Sequence, residues 1–111
     1  MEMRIEVTED NTDEVISAKD AAVMRALEAI GLQAEGYAKL KAPVDTGRLR
    51  NSITHSLAPE EEAVYIGTNV EYAPYVEYGT RRTKAQPFLK PAVQNHAEEY
   101  KRIAERFLKG Q

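Results

Sequence analysis

The stretch from Asp13 to Pro43, DEVISAKDAAVMRALEAIGLQAEGYAKLKAP, decides how this chain folds. Ile16, Val23, Leu27, Ile30, Ala34 and Tyr37 recur at steps of three and four, with Ala22, Ala26 and Ala38 beside them. That spacing puts one apolar stripe on a helix running from Asp13 to about Lys41. Asn11, Thr12 and Asp13 offer side-chain oxygens to the free N–H groups at its start. Ala42-Pro43 stops it, because proline disfavours helical geometry in the residue before it. A helix of this span is roughly 43 Å long, whereas a compact chain of this size has a radius of gyration of about 13 Å. The helix must therefore overhang its domain or break. Gly31 and Gly36 are the weak points, each costing roughly 1 kcal/mol relative to alanine. The expectation is one bent or overhanging helix, whose apolar stripe wants a partner.

Outward from the helix, Met3 to Thr8 alternates as a short strand, with Met3, Ile5 and Val7 on one side. Pro43-Val44-Asp45-Thr46-Gly47 reads as a tight turn: Asp45 can bond nearby N–H groups, and Gly47 can take a positive φ. Asn51–Leu57 and Glu62–Thr68 read as two strands of an antiparallel hairpin, turning at Ala58-Pro59-Glu60-Glu61. Tyr72–Tyr78 fits a short helix opened by Pro74 and ended by Gly79. Thr80–Gln86 has no apolar anchor and reads as a mobile loop. Leu89, Val93, His96, Tyr100, Ile103 and Phe107 form a last amphipathic stripe, with Pro91 in its first turn and Gly110 at its close. The predicted class is α+β: a long N-terminal and a C-terminal helix packed on a small antiparallel sheet. One domain spans 1–111, with residues 1–12 a short strand or arm.

Composition narrows the function. A length of 111 residues suffices for one core without disulfides, and cysteine is absent. No apolar run approaches the roughly 20 residues that span a bilayer, so no membrane partner is expected. The acidic start MEMRIEVTED is not a secretory signal. Net charge is −3, unevenly spread. Residues 1–14 hold Glu2, Glu6, Glu9, Asp10, Asp13 and Glu14 against Arg4. Residues 81–109 hold Arg81, Arg82, Lys84, Lys90, Lys101, Arg102, Arg106 and Lys109 against Glu98, Glu99 and Glu105. Solvated surface charge is the ordinary reading. The sharper reading is an acidic edge of one copy meeting a basic edge of the next in a head-to-tail ring.

Chemistry finds little footing. No nucleophile, base and orienting group lie together, so no enzyme and no catalytic residue is expected. His55 and His96 are isolated and read as hydrogen-bonded packing residues. Metal-ligand spacing and phosphate-binding glycine patterns are absent, so neither metal nor cofactor is expected. Asp45, Thr46, Arg48 and Arg50 can be drawn around a phosphate, but a turn fixed by Asp45 and Gly47 needs fewer assumptions. Tyr72, Tyr75 and Tyr78, followed by Arg81, Arg82 and Lys84, read instead as a partner-binding surface. Tyrosine supplies apolar area at small entropic cost, and arginine a flat fork of donors. The alternative is a small nucleic-acid or packaging-associated binder using the basic residues 81–84. A sequence pI near 5.4 opposes it.

Two blocks, in this order, bring a family into view: APVDTGRLRNSI at Ala42–Ile53, and IGTNVEYAPYVEYGT at Ile66–Thr80 followed by QPFLKPA at Gln86–Ala92. Together they resemble the minor structural proteins of long-tailed bacteriophages that complete the tail and join it to the head. The likeness runs over roughly residues 13–108. It implies a non-enzymatic α+β protein with a long helix, a small antiparallel sheet and a C-terminal helix. It also implies a ring, commonly of six copies, at the neck of the virion, between tail tube and head connector. Assembly would take place in the bacterial host cytoplasm, and in a chromosome a resident prophage would be the source. The family does not assign contact residues.

Overall fold

The computed structural model describes residues 1–6, 16–44 and 47–109. The expected caps at Asn11–Asp13, the end of the first strand at Val7 and Thr8, the turn residues Asp45 and Thr46, and Gly110 lie outside them. In chain order the elements are β1 (Glu2–Glu6), α1 (Ile16–Lys41), α2 (Arg48–Ser52), β2 (Thr54–Ala58), a 3-10 turn at Pro59–Glu61, β3 (Ala63–Gly67), α3 (Ala73–Tyr78), α4 (Leu89–Gln94) and α5 (Ala97–Lys109). The class is α+β, with the long helix and a C-terminal helix as expected.

The sheet runs β1-β3-β2, antiparallel throughout. Met3, Ile66 and His55 share one row, and Ile5, Val64 and Leu57 another, on the face that the helices cover, α1 packing on β2 and β3 and α4 on β1. Arg4, Tyr65 and Ser56 form the row between them on the outer face. This two-residue alternation is the one visible in the sequence. The hairpin partner of β2 is β3, and β1 adds to the other side of β3.

α1 is continuous through both glycines. Its buried face carries Ala22, Val23, Ala26, Leu27, Ile30, Ala34 and Ala38. Small side chains there let neighbouring elements approach closely. Gly31 shows how closely: a Cβ on it would sit 2.7 Å from Val64 Cγ2 and 2.8 Å from His55 Cδ2. Gly36 faces open space. The first glycine is thus a packing requirement and the second is not. With α1 unbroken the molecule measures 53 × 22 × 19 Å, and its radius of gyration is 15.5 Å. That is larger than a compact chain of this length requires, so the helix extends the domain rather than bending to fit it.

Two expectations change. The predicted strand Asn51–Leu57 begins late, because Arg48–Ser52 forms the short helix α2. Gly47, at φ 82°, sets its start, and the Asn51 N–H donates to Gly47 O at 2.9 Å. Ser52 Oγ donates to Leu49 O at 2.7 Å, and Leu49 is buried. Arg50 Nε donates to Lys39 O at 3.0 Å, satisfying a free carbonyl at the end of α1. The last helix is also not continuous. It breaks at Asn95-His96, where the Asn95 N–H closes on Pro91 O at 2.9 Å. The Tyr100 hydroxyl donates to Ala92 O across the break. Burial pushes its pKa up, so it remains a neutral donor. His96 stacks on Tyr37 of α1, ring centres 3.5 Å apart, and the Tyr37 hydroxyl donates to Glu99.

His55 ties sheet to helix. Its Nδ1 lies 2.7 Å from Glu35 Oε1, and its Nε2 lies 3.0 Å from Glu28 Oε2. Lys39 Nζ backs Glu35 at 2.9 Å. Burial opposes the charged ring most, but the hydrogen bonds from Glu35 and Glu28 and their charge outweigh it and raise the His55 pKa above 6.5. For Glu35, burial is again the largest single influence and acts upward. The bonds and charges of His55 and Lys39 together win and lower it below 4.5.

Two tests follow from this packing. Gly31→Ala should destabilise by about 1–3 kcal/mol, since Val64 and a doubly held His55 must shift. Gly36→Ala should stabilise by about 0.5–1 kcal/mol. Urea denaturation of both variants reads the difference in sign. The second test concerns pH. The raised His55 pKa contributes stability that is full below pH 6.5 and lost as pH rises through the folded value. The lowered Glu35 pKa contributes above pH 4.5 and is lost as pH falls through its folded value. The wild-type urea midpoint should therefore fall from about pH 6 to about pH 8.5, and His55→Gln should flatten that part of the profile.

Candidate docking surface

Sequence alone places Tyr72, Tyr75 and Tyr78 within seven residues of one another; α3 decides which of them face out. The helix begins just after Tyr72, has Pro74 in its first turn, and ends where the Gly79 N–H meets Tyr75 O at 2.8 Å. Ala73 and Glu77 point inward. Tyr75 and Tyr78 fall on the other side and are 62% and 66% exposed. Tyr72 is half-buried against the core, and the Arg48 guanidinium lies 5.5 Å from its ring centre. Arg48 also reaches Glu71 at 3.2 Å.

Glu77 fixes this helix to the rest of the molecule. It is 2% exposed, and among the described residues no cation pairs with it. Its Oε1 accepts the N–H groups of Phe88 and Leu89 at 3.0 and 2.9 Å, and its Oε2 accepts that of Lys90 at 3.0 Å. Those donors are the free N–H groups at the start of α4, where Phe88 itself gives no side-chain cap. A carboxylate at a helix N-terminus is favoured by charge-assisted bonds and by the helix dipole. Glu77 therefore caps, from eleven residues away, the helix that buries Phe88 and Leu89.

Residues 79–88 close a loop between these two anchored points. Gly79 takes φ 79°, and a Cβ on it would lie 2.8 Å from Ala85 N. Thr80 N–H donates to Thr83 O at 2.8 Å, while the Thr80 hydroxyl accepts the N–H groups of Arg82 and Thr83 at 3.2 and 3.0 Å. Gln86 N–H donates to Val76 O at 2.8 Å. The backbone of the basic segment is a hydrogen-bonded turn, with Arg81, Arg82 and Lys84 exposed on it.

Turn and helix frame a groove of about 250 Å³ lined by Pro43, Tyr72, Tyr75, Val76 and Lys84, with Thr80 and Thr83 on its rim. Three of the six residues expected to bind partners, Tyr72, Tyr75 and Lys84, meet in this one place. Tyr78, Arg81 and Arg82 stand beside it on the same helix and turn. Pro43 joins them from the end of α1, and the neighbouring Val44 and Leu40 are 52% and 75% exposed. The groove is open, and its volume lies below the roughly 300–1,000 Å³ typical of sites for drug-sized ligands. Pro43 thus contributes to the surface, while Gly47 sets α2. Glu77 was not visible as a functional residue in the sequence, since its partners lie beyond the loop.

A second, larger groove lies over the outer sheet face, near Ser52, Thr54, Tyr65 and Thr68. Ser52 Oγ is engaged by Leu49 O and Thr68 Oγ1, and Thr68 Oγ1 also accepts the Val70 N–H at 3.1 Å. Both nitrogens of His55 are held by carboxylates of α1. No activated hydroxyl results. Among the described residues no group of three His, Cys, Asp or Glu side chains is placed to hold a metal ion. Among them, too, no helix is long and apolar enough to cross a membrane.

A family model described as "Bacteriophage HK97-gp10, putative tail-component" matches residues 8–79. No curated protein and no solved structure matches. The matched span ends at Gly79, so it includes α1, the sheet strands β2 and β3, and α3, and stops where the basic turn begins.

Glu77→Ala should cost about 2–4 kcal/mol, because three N–H groups, two of them buried, lose their acceptor. Glu77→Gln should lose less. Thermal melts rank the two, and hydrogen exchange at Phe88, Leu89 and Lys90 should accelerate in both. Unchanged exchange there would contradict the capping role.

Proposed function

The chain belongs to the HK97-gp10-like family of bacteriophage tail components, and from that premise we propose that it is a structural adaptor that completes the tail of a phage or prophage particle and joins it to the head. It works by surface complementarity and makes or breaks no covalent bond. Copies associate side by side in a ring, six being the number the resemblance implies, and the ring meets a tail-tube protein on one face and a head-connector protein on the other. Its place is the neck of the virion, reached after folding in the host cytoplasm.

The observation that supports this most is the exposed pair Tyr75 and Tyr78 on a helix that Glu77 holds rigidly from beneath. Solvent-exposed aromatic side chains on a fixed backbone lose little entropy on docking. Neither tyrosine is part of the core; their neighbours Ala73 and Glu77 make the internal contacts. The same surface offers the stacking and cationic groups that single strands use, but a net charge of −3 is the wrong sign for a nucleic-acid binder.

Tyr75→Ser with Tyr78→Ser should leave stability within about 0.5 kcal/mol, as for other exposed substitutions. In particles assembled with this variant, electron microscopy should show heads and tails unjoined, and infectious titre should fall by at least about tenfold. Normal virions assembled with no copy of this polypeptide would refute the adaptor reading outright.

A further inference from the structure

We propose that the basic turn and tyrosine groove receive the acidic stretch Glu9–Glu14 of a second copy of this chain, and that this is the lateral contact between neighbours. The proposal rests on the adaptor reading above and names its contact.

Three observations converge. The first is uncompensated charge. Among the described residues Arg81, Arg82 and Lys84 have no carboxylate within 4.0 Å, whereas Arg4 has two and Lys39 and Arg48 have one each. Three exposed cations on one hydrogen-bonded turn, beside an apolar notch, fit an acidic peptide carrying an apolar side chain. The second is supply. Residues 9–14, EDNTDE, carry four carboxylates and no cation, and Val7 and Val15 flank them. No other window of six residues in this chain has that balance.

The third is reach, and it decides between the same copy and another. The groove includes Pro43, just past the C-terminal end of α1. The acidic stretch is tethered to the opposite end, at Ile16. From Ile16 to Lys41 the unbroken helix rises about 38 Å. Even fully extended, six residues separate Asp10 from Ile16 by at most about 22 Å, and seven take Glu9 no further than about 25 Å. The acidic stretch of the same copy therefore falls about 13 Å short of the Lys41 end of α1, beside which Pro43 lines the groove. That of a neighbour stacked head to tail can reach it, and the contact then uses two different patches, one from each copy.

The test uses a fluorescent peptide of residues 5–16, IEVTEDNTDEVI. The receptor is the full chain with Glu9→Gln, Asp10→Asn, Asp13→Asn and Glu14→Gln, so that copies do not fill one another. Circular dichroism confirms that it is folded. The peptide should bind at low salt. Adding Arg81→Ser, Arg82→Ser and Lys84→Ser should weaken it about tenfold or more, and raising salt should do the same. Equal binding by the serine variant, or none by the parent receptor, would overturn the proposal. So would tighter binding of a single-stranded oligonucleotide of equal charge, which would assign the turn to nucleic acid. Particles that join normally while peptide binding is lost would remove this contact and leave the adaptor reading intact. Peptide binding that persists while particles form without the protein would do the reverse.

Discussion

A buried carboxylate that, among the described residues, has no cation beside it is the constraint on which the rest of this structure turns. A buried polar group must find hydrogen-bond partners, and three backbone N–H groups at the α4 start bond both oxygens of Glu77. The consequence is mutual. α4 gains the cap that Phe88 does not give it, and α3 gains a fixed azimuth about its own axis. With Glu77 and Ala73 held inward, a six-residue helix has no choice but to turn Tyr75 and Tyr78 to solvent. The loop between the two anchored points is then closed at a set width, and its basic side chains stand at a set distance from the tyrosines. Orientation of the docking surface is therefore decided in the core, not on the surface.

α1 sets the second constraint, which is length. Its buried face sets alanines among Val23, Leu27 and Ile30, and Gly31 lets β3 and β2 come close. Close approach makes the interface stiff: Val64 and His55 abut the backbone at Gly31, and Glu28 and Glu35 hold the His55 ring from the helix side. A stiff rod running beyond a compact body separates two ends of the molecule by more than the flanking chain can span. One end carries the tyrosine groove, and the acidic sequence is tethered to the other. The polarity that a head-to-tail assembly needs is thus a property of the helix before any partner is met.

Much of this was legible in the residues. The three- and four-residue periodicity from Val23 to Ala38 located the buried face, and alternation in 62–68 located β3. Gly47 and Gly79 both take the positive φ that their turn contexts require. What escaped was decided by contacts distant in sequence. Asn51–Leu57 alternates as a strand would, but Asn51 and Ser52 belong to a helical turn that Gly47 and the Ser52 hydroxyl close, and the bond from Arg50 to the end of α1 holds it. The last apolar stripe keeps its helical period through Asn95-His96, so periodicity alone cannot show a break made by the stacking of His96 on Tyr37 and the Tyr100 bond to Ala92. Glu77 was the largest omission. An acidic residue between two tyrosines, in a segment that ends in cations, looks like surface. Only the return of the chain at Phe88 gives its carboxylate a reason to be inside.

The uneven charge acquires a physical purpose in this arrangement. An interface whose two sides lie on opposite ends of a rigid subunit joins unlike patches, so each added copy presents a fresh acceptor and the chain of copies continues until rotation closes it. Such a contact must not be too strong alone, or copies would polymerise before reaching a particle. Charge pairs at solvent-exposed positions meet that requirement, since each is worth only about 0–1 kcal/mol and is screened by salt. Closing a ring lets the last contact form between parts already held in place, which raises the effective concentration at that interface far above that of free subunits. A tail end that holds several copies at once does the same. In the proposed arrangement, weak lateral pairing by a basic turn and an acidic stretch would favour assembly on the template over assembly in solution.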